Sequence, residues 1–123
     1  MAKKTIMVVD DEGVIVDVVE KILESKYNVI TAQSGKECLE ILNGKPVDLI
    51  LLDIMMPEMD GWDVCEKIKA NKKTEKIPII FLTAKTDTIS RSMGVLASKD
   101  YISKPFGVKD LLSRVKKVIE QKP

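Results

Sequence analysis

Residues 49–52 read Leu-Ile-Leu-Leu and are closed by Asp53. Four consecutive aliphatic residues leave no polar side for solvent. A strand made of them must be covered on both faces, which is the condition of a parallel-sheet interior. The run stops at a carboxylate, and Pro57, Asp60 and Gly61 then turn the chain. In open parallel sheets, ligands bind beyond the carboxyl ends of the strands. Asp53 is therefore the first candidate for chemistry.

The same pattern recurs along the chain. Thr5 to Val9 is a short apolar run that ends in Asp10-Asp11-Glu12, and Ile79 to Leu82 is another, ending at Thr83-Ala84. Tyr27 to Thr31 predicts a modest edge strand, and Asp100 to Ile102 a short one. Between the strands, apolar residues fall at helical spacing: Ile15, Val18, Val19, Ile22 and Leu23 in the first helix, and Leu111, Leu112, Val115, Val118 and Ile119 in the last. Ser34 with Glu37 fits a capping box for the second helix. Asn43-Gly44 fits its stop, and Asp60 fits the N-cap of the third. Lys72 to Lys76 reads as a solvated turn. A fourth helix is expected over 87–96, where a weak apolar stripe interrupted by Gly94 makes it the least stable. Five strands alternating with five helices predict an α/β, doubly wound parallel sheet with helices on both faces.

The totals narrow the function. A chain of 123 residues fits one domain, residues 1–123. A net charge of +1 exerts no global pull on nucleic acid or membrane. There is no histidine, which excludes His-based acid–base catalysis and His metal ligands. Cys38 and Cys65 lie beside apolar neighbours in helix-like stretches, so they read as small core residues of a reducing compartment. No apolar run approaches the ~18 residues of a membrane span, and the start of the sequence lacks the apolar segment of a secretory signal. A cytoplasmic location is expected.

Asp10, Asp11, Asp53, Thr83 and Lys104 all fall at predicted strand ends. In the flavodoxin-like strand order 2-1-3-4-5, strands one, three and four are neighbours, so the three aspartates crowd together. Like charges that close do not all stay ionised unaided. A hard cation such as Mg²⁺ resolves the conflict, since it takes oxygen ligands and needs few protein carboxylates. An acidic site with a metal and a lysine suits phosphoryl transfer to a carboxylate. The expected product is an acyl phosphate on Asp53, with Thr83 donating to a phosphoryl oxygen.

Four motifs in this order, Val8-Val9-Asp10-Asp11, Leu52-Asp53-Ile54-Met55-Met56-Pro57-Glu58-Met59-Asp60-Gly61, Leu82-Thr83-Ala84 and Asp100-Tyr101-Ile102-Ser103-Lys104-Pro105-Phe106, resemble the receiver domain of two-component response regulators across essentially the whole chain. The resemblance implies that Asp53 accepts a phosphoryl group from a phosphohistidine on a sensor histidine kinase or phosphotransfer protein. It implies that Asp11, Asp53 and the Met55 carbonyl ligate Mg²⁺, with Asp10 acting through water. Thr83 and Lys104 would contact the phosphoryl group, and the Lys104–Pro105 bond would be cis. Thr83 would move on phosphorylation and Tyr101 would turn inward. That remodels the surface of the fourth helix, fifth strand and fifth helix for an effector or for a homodimer, where Asp100 and Arg114 would pair between copies.

Other readings stand beside these. Single aspartates at strand ends are commonly caps or turn residues. Trp62 reads as helix-surface packing near the pocket. The basic residues of the last third have no interleaved aromatics, so a solvated face or an acidic partner fits them better than direct nucleic-acid binding. Rival functions are a dehalogenase-like phosphohydrolase and an interaction module that is never phosphorylated. The first usually carries an acid two residues after its nucleophile, where this chain has Met55.

Overall fold

The computed structural model describes residues 3–84 and 100–121. Its elements are β1 (Thr5–Val9), α1 (Gly13–Leu23), β2 (Asn28–Ala32), α2 (Gly35–Leu42), β3 (Leu49–Asp53), α3 (Gly61–Ala70), β4 (Ile79–Ala84), β5 (Asp100–Lys104) and α4 (Val108–Ile119). All strand pairs are parallel, in the order β2-β1-β3-β4-β5. The flavodoxin-like sheet is thus the one expected. The described residues contain four helices where five were expected; the helix predicted over 87–96 lies outside them.

Side chains of the central strands alternate between two cores. Met7, Val9, Ile50 and Leu52 face one core together with residues of α2 and α3. Ile6, Val8, Leu49 and Leu51 face the other, together with residues of α1 and α4. Leu49 to Leu52 are all fully buried, which explains why that run has no polar alternation. Burying each such side chain contributes roughly 1.5–3 kcal/mol.

The helix stripes differ in one place from the sequence pattern. In α1 the buried residues are Val16, Val19 and Leu23. Ile15 and Ile22 flank them, half-buried, while Val18 is 45% exposed. The core-facing line runs through positions three and four apart from Val19, which puts Val18 on the outer side with Val14. The α4 stripe holds, with Leu111, Val115 and Val118 buried.

The N-caps of α2 and α3 are as the sequence predicts, while α2 stops at Asn43 without a left-handed glycine. The Glu37 amide donates to Ser34 Oγ at 3.1 Å, and the Asp63 amide to Asp60 Oδ1 at 2.9 Å. The Glu37 carboxylate reaches one residue past the cap and accepts from the Gln33 amide at 2.7 Å. The turn after α3 is more than a solvated one. Thr74 is buried, and its hydroxyl donates to the Ile68 carbonyl at 2.7 Å. Lys69 donates to the Glu75 and Ile77 carbonyls at 3.1 and 2.8 Å.

Candidate functional site

Parallel pairing brings the carboxyl ends of the strands to one edge. Val9 pairs with Leu52, and Asp53 with Leu82. Asp10, just past β1, and Asp53, the last residue of β3, therefore lie side by side. Thr83 sits one residue beyond Leu82 and opposite Ser103, so it shares the same edge. Strand β5 runs further than its apolar residues suggest, to Lys104, which closes the site from the far side.

Asp10, Asp53 and Lys104 touch directly. Lys104 Nζ lies 2.8 Å from Asp10 Oδ2 and 3.1 Å from Asp53 Oδ1. Asp10 is fully buried, and its other oxygen accepts from the Glu12 amide at 3.0 Å. Asp53 and Thr83 are each 3% exposed, whereas Asp11 is exposed. One oxygen from each of Asp10, Asp11 and Asp53 lies within 4.8 Å of the others. A donor set made only of carboxylate oxygens fits a hard cation of the magnesium or calcium type.

The electrostatics follow from burial and crowding. Burial raises the Asp53 carboxyl from 3.8 to about 7; the negative charges of Asp10 and, more weakly, Asp11 add to the rise, and Lys104 opposes it. For Lys104, burial favours the neutral amine. Its hydrogen bond to Asp10 and the charges of Asp10 and Asp53 outweigh that, and its pKa is raised overall. The lysine thus stays charged and holds two carboxylates that would otherwise repel each other.

The loop after Asp53 is tied back to the sheet. The Ile54 amide donates to the Leu82 carbonyl at 3.3 Å, and the Gly61 amide to the Ile54 carbonyl at 2.7 Å. A Cβ on Gly61 would lie 2.4 Å from the Asp53 carbonyl oxygen and 2.8 Å from the Ile54 Cα. Helix α3 therefore begins in direct backbone contact with the site. Met56 is buried, while Met55 is 64% exposed. Glu58 has φ 69°, a left-handed conformation that is costly for a residue with a Cβ. The Lys104–Pro105 bond is cis, as the resemblance implies.

Tyr101 is half-buried, and its ring stacks on Phe81 at 5.8 Å. Phe81 also meets Trp62 at 4.7 Å. Trp62 is thus part of an aromatic row that reaches from α3 through β4 to β5, and is more than surface packing. Nothing in the sequence spacing signals that row, or the contact between Gly61 and Asp53. Arg114 bonds within its own molecule, to Asp110 at 3.0 Å and to the Tyr101 carbonyl at 3.2 Å. The sequence departs from the usual receiver pattern at Ala97-Ser98, before the fifth strand, and at the basic Lys85, two past Thr83; all three lie outside the described residues.

Comparison with known proteins agrees with this geometry. The family profile of the response regulator receiver domain matches residues 6–116. A probable cyclic di-GMP phosphodiesterase from Vibrio cholerae is 42% identical over 99% of this chain, which spans 28% of that protein. The alkaline phosphatase synthesis transcriptional regulatory protein PhoP of Bacillus subtilis is 40% identical over 96% of the chain, which spans 49% of it. The chain spans half or less of the length of such curated relatives. Among solved structures, the receiver domain of a sensor histidine kinase from Pseudomonas aeruginosa PAO1 is similar at 30% identity and TM-score 0.87, covering 98% of this chain and 100% of that one. That structure holds a magnesium ion coordinated in its active-site cleft.

Proposed function

The chain belongs to the response regulator receiver family, and on that premise we propose that Asp53 is its phosphoacceptor and that residues 1–123 act as one phosphorylation-controlled switch. The observation that carries the assignment is the direct pairing of Lys104 with both Asp10 and Asp53 inside a buried acidic pocket. Asp53 offers a carboxylate oxygen at the sheet edge. An incoming phosphohistidine loses its N–P bond as the Asp53 O–P bond forms, and the departing imidazole nitrogen takes a proton from solvent. Lys104 neutralises charge on the transferred group, and the buried Thr83 hydroxyl donates to one of its oxygens.

Asp11, Asp53 and the Met55 carbonyl would hold Mg²⁺ directly, with Asp10 behind a water. When bound, the ion supplies charge neutralisation for the phosphoryl oxygens. The chain assists its own phosphotransfer and slow dephosphorylation and acts on no separate substrate.

The partner would be a sensor histidine kinase or phosphotransfer protein in the cytoplasm. Val14, Met55 and Val108 are exposed large apolar residues, and each follows one of the site's strands within a few residues. They suit a docking rim around the pocket. Output would pass through Tyr101 and the β5–α4 face to an effector or a second receiver. The intramolecular bonds of Arg114 do not favour the pairing with Asp100 between copies that the resemblance suggests.

The test is mass spectrometry after incubation with Mg²⁺ and a small acyl-phosphate or phosphoramidate donor. One labile phosphoryl adduct, lost in Asp53→Asn, is the expected result. Continuous release of phosphate would instead support a phosphohydrolase. Failure of every donor to leave an adduct would support an unphosphorylated interaction module.

A further inference from the structure

The end of the sheet opposite the acidic pocket carries a second, differently charged surface. Register places the starts of β1 to β4 at one edge, with Thr5 beside Asn28, Ile6 beside Leu49 and Ile50 beside Ile79. Lys4, Lys26 and Lys45 lie just before β1, β2 and β3, and Lys72, Lys73 and Lys76 lie in the turn before β4. All six are exposed, and none forms an ion pair among the described residues. Glu24, Asp48 and Glu75 are interspersed with them, and the Asp48 carboxylate is engaged by the Thr5 amide at 2.8 Å.

Between the α2–β3 connection and the turn after α3 lies a groove of about 270 Å³. Leu42, Pro46, Val47 and Ile77 line it on one part, and Asn43, Thr74, Lys45 and Lys73 on the rest, so its surface is partly apolar and partly polar. Cations near helix carboxyl ends complement the helix dipole, which accounts for part of the lysine placement. It does not account for a groove with an apolar part opening between two of them.

We propose that this groove docks an acidic polypeptide segment that inserts one aliphatic side chain between Lys45 and Lys73. Charge complementarity selects an anionic partner. The apolar part of the lining, Leu42, Pro46, Val47 and Ile77, accommodates an aliphatic side chain between the two lysines, and no aromatic ring lines the groove for a base to stack on. A lipid surface is disfavoured because, among the described residues, the exposed large apolar ones are Val14, Val18, Met55 and Val108, and none of them lies at this end. The proposal is independent of phosphorylation at Asp53.

The probe is a synthetic dodecapeptide of glutamate and aspartate with one central leucine, titrated into the isotope-labelled chain and followed by amide chemical shifts. Saturable shifts confined to residues 42–47 and 73–77 are expected. Replacing the peptide's leucine by alanine should weaken binding about tenfold, in line with the lost aliphatic burial. A Lys45→Glu/Lys73→Glu variant, whose melting temperature should match the parent's, should weaken binding at least tenfold. Shifts that never saturate, an affinity unchanged in that variant, equal or tighter binding of a short DNA duplex, or the same shifts arising from self-association without peptide would each overturn the proposal.

Discussion

The contact between Gly61 and the backbone of Asp53 gives the sharpest mutational prediction. Alanine at position 61 would place a methyl group 2.4 Å from the Asp53 carbonyl oxygen, 2.8 Å from the Ile54 Cα and 3.1 Å from the Asp53 carbonyl carbon. Ordinary contact begins at 3.4 Å, so a shift of about 1 Å is required. Neither side yields cheaply. Asp53 and Ile54 are fixed by pairing with Leu82, and α3 is held by its Asp60 cap and by the 2.7 Å bond from the Gly61 amide to the Ile54 carbonyl. Overpacking against rigid structure costs about 1–3 kcal/mol, and losing the amide bond adds about 1 kcal/mol. Gly61→Ala should therefore lose about 2–4 kcal/mol of unfolding free energy in urea. Gly44→Ala is the matched control. A Cβ there meets nothing within 4 Å, and its effect should be neutral to stabilising by up to about 1 kcal/mol. A loss below about 0.5 kcal/mol for Gly61→Ala, or an equal loss for Gly44→Ala, would refute the reasoning.

Three further outcomes follow from the site. In chelator-treated protein, the Asp53 carboxyl is raised from 3.8 to about 7. The folded state therefore holds a proton that the unfolded chain releases, and this stability is complete below pH 4 and lost as pH rises through 7. The full shift corresponds to roughly 4 kcal/mol. Asp53→Asn removes the penalty but also one partner of Lys104, so we expect it to exceed the parent by about 2 kcal/mol at pH 8, with the gap closing toward pH 4. A gap that does not depend on pH would contradict the assignment. Glu58→Gly relieves a left-handed residue at φ 69° and should gain up to about 1 kcal/mol in thermal or urea melts; a loss of stability would show that the Glu58 side chain matters more than its backbone. Met55 is exposed two residues past Asp53 and cannot orient an attacking water. Prephosphorylated Met55→Asn should lose phosphate faster than the parent, and an unchanged or slower decay would remove that explanation of slow dephosphorylation.

The fold was legible wherever local chemistry decides structure. The doubly buried Leu49–Leu52 run, the Ser34 and Asp60 caps and the α4 stripe needed no tertiary information. The α1 stripe was blurred because its apolar residues outnumber the core positions, and only packing against the sheet selects Val16 over Val18. The gathering of Asp10, Asp11, Asp53, Thr83 and Lys104 at one sheet edge was readable from their places at strand ends. Its wiring was not: Lys104 and Asp10 are 94 positions apart, and no local rule predicts that a lysine will bridge two aspartates. The Trp62–Phe81–Tyr101 row was hidden for the same reason, since it joins α3, β4 and β5 through the core.

Net charge does not reveal how charge is distributed; topology does. A net charge of +1 says only that the chain exerts no global pull. In a doubly wound parallel sheet, however, every strand's carboxyl end and every helix's amino end share one edge. Acids gather there: Asp60 caps α3, Asp63 lies in its first turn, and Asp10, Asp11 and Asp53 stand together at the strand ends. Strand starts and helix carboxyl ends share the other edge, where lysines complement the helix dipoles. Among the described residues, these aspartates and the six lysines thus lie at opposite edges of the sheet. A partner presenting positive charge is steered to the phosphoacceptor end, and an acidic one to the groove beside Lys45 and Lys73. Raising ionic strength from low to physiological should slow both associations, because the exposed charges of each edge, Asp11 and Asp63 at one and the lysines at the other, are screened by salt over about 8 Å.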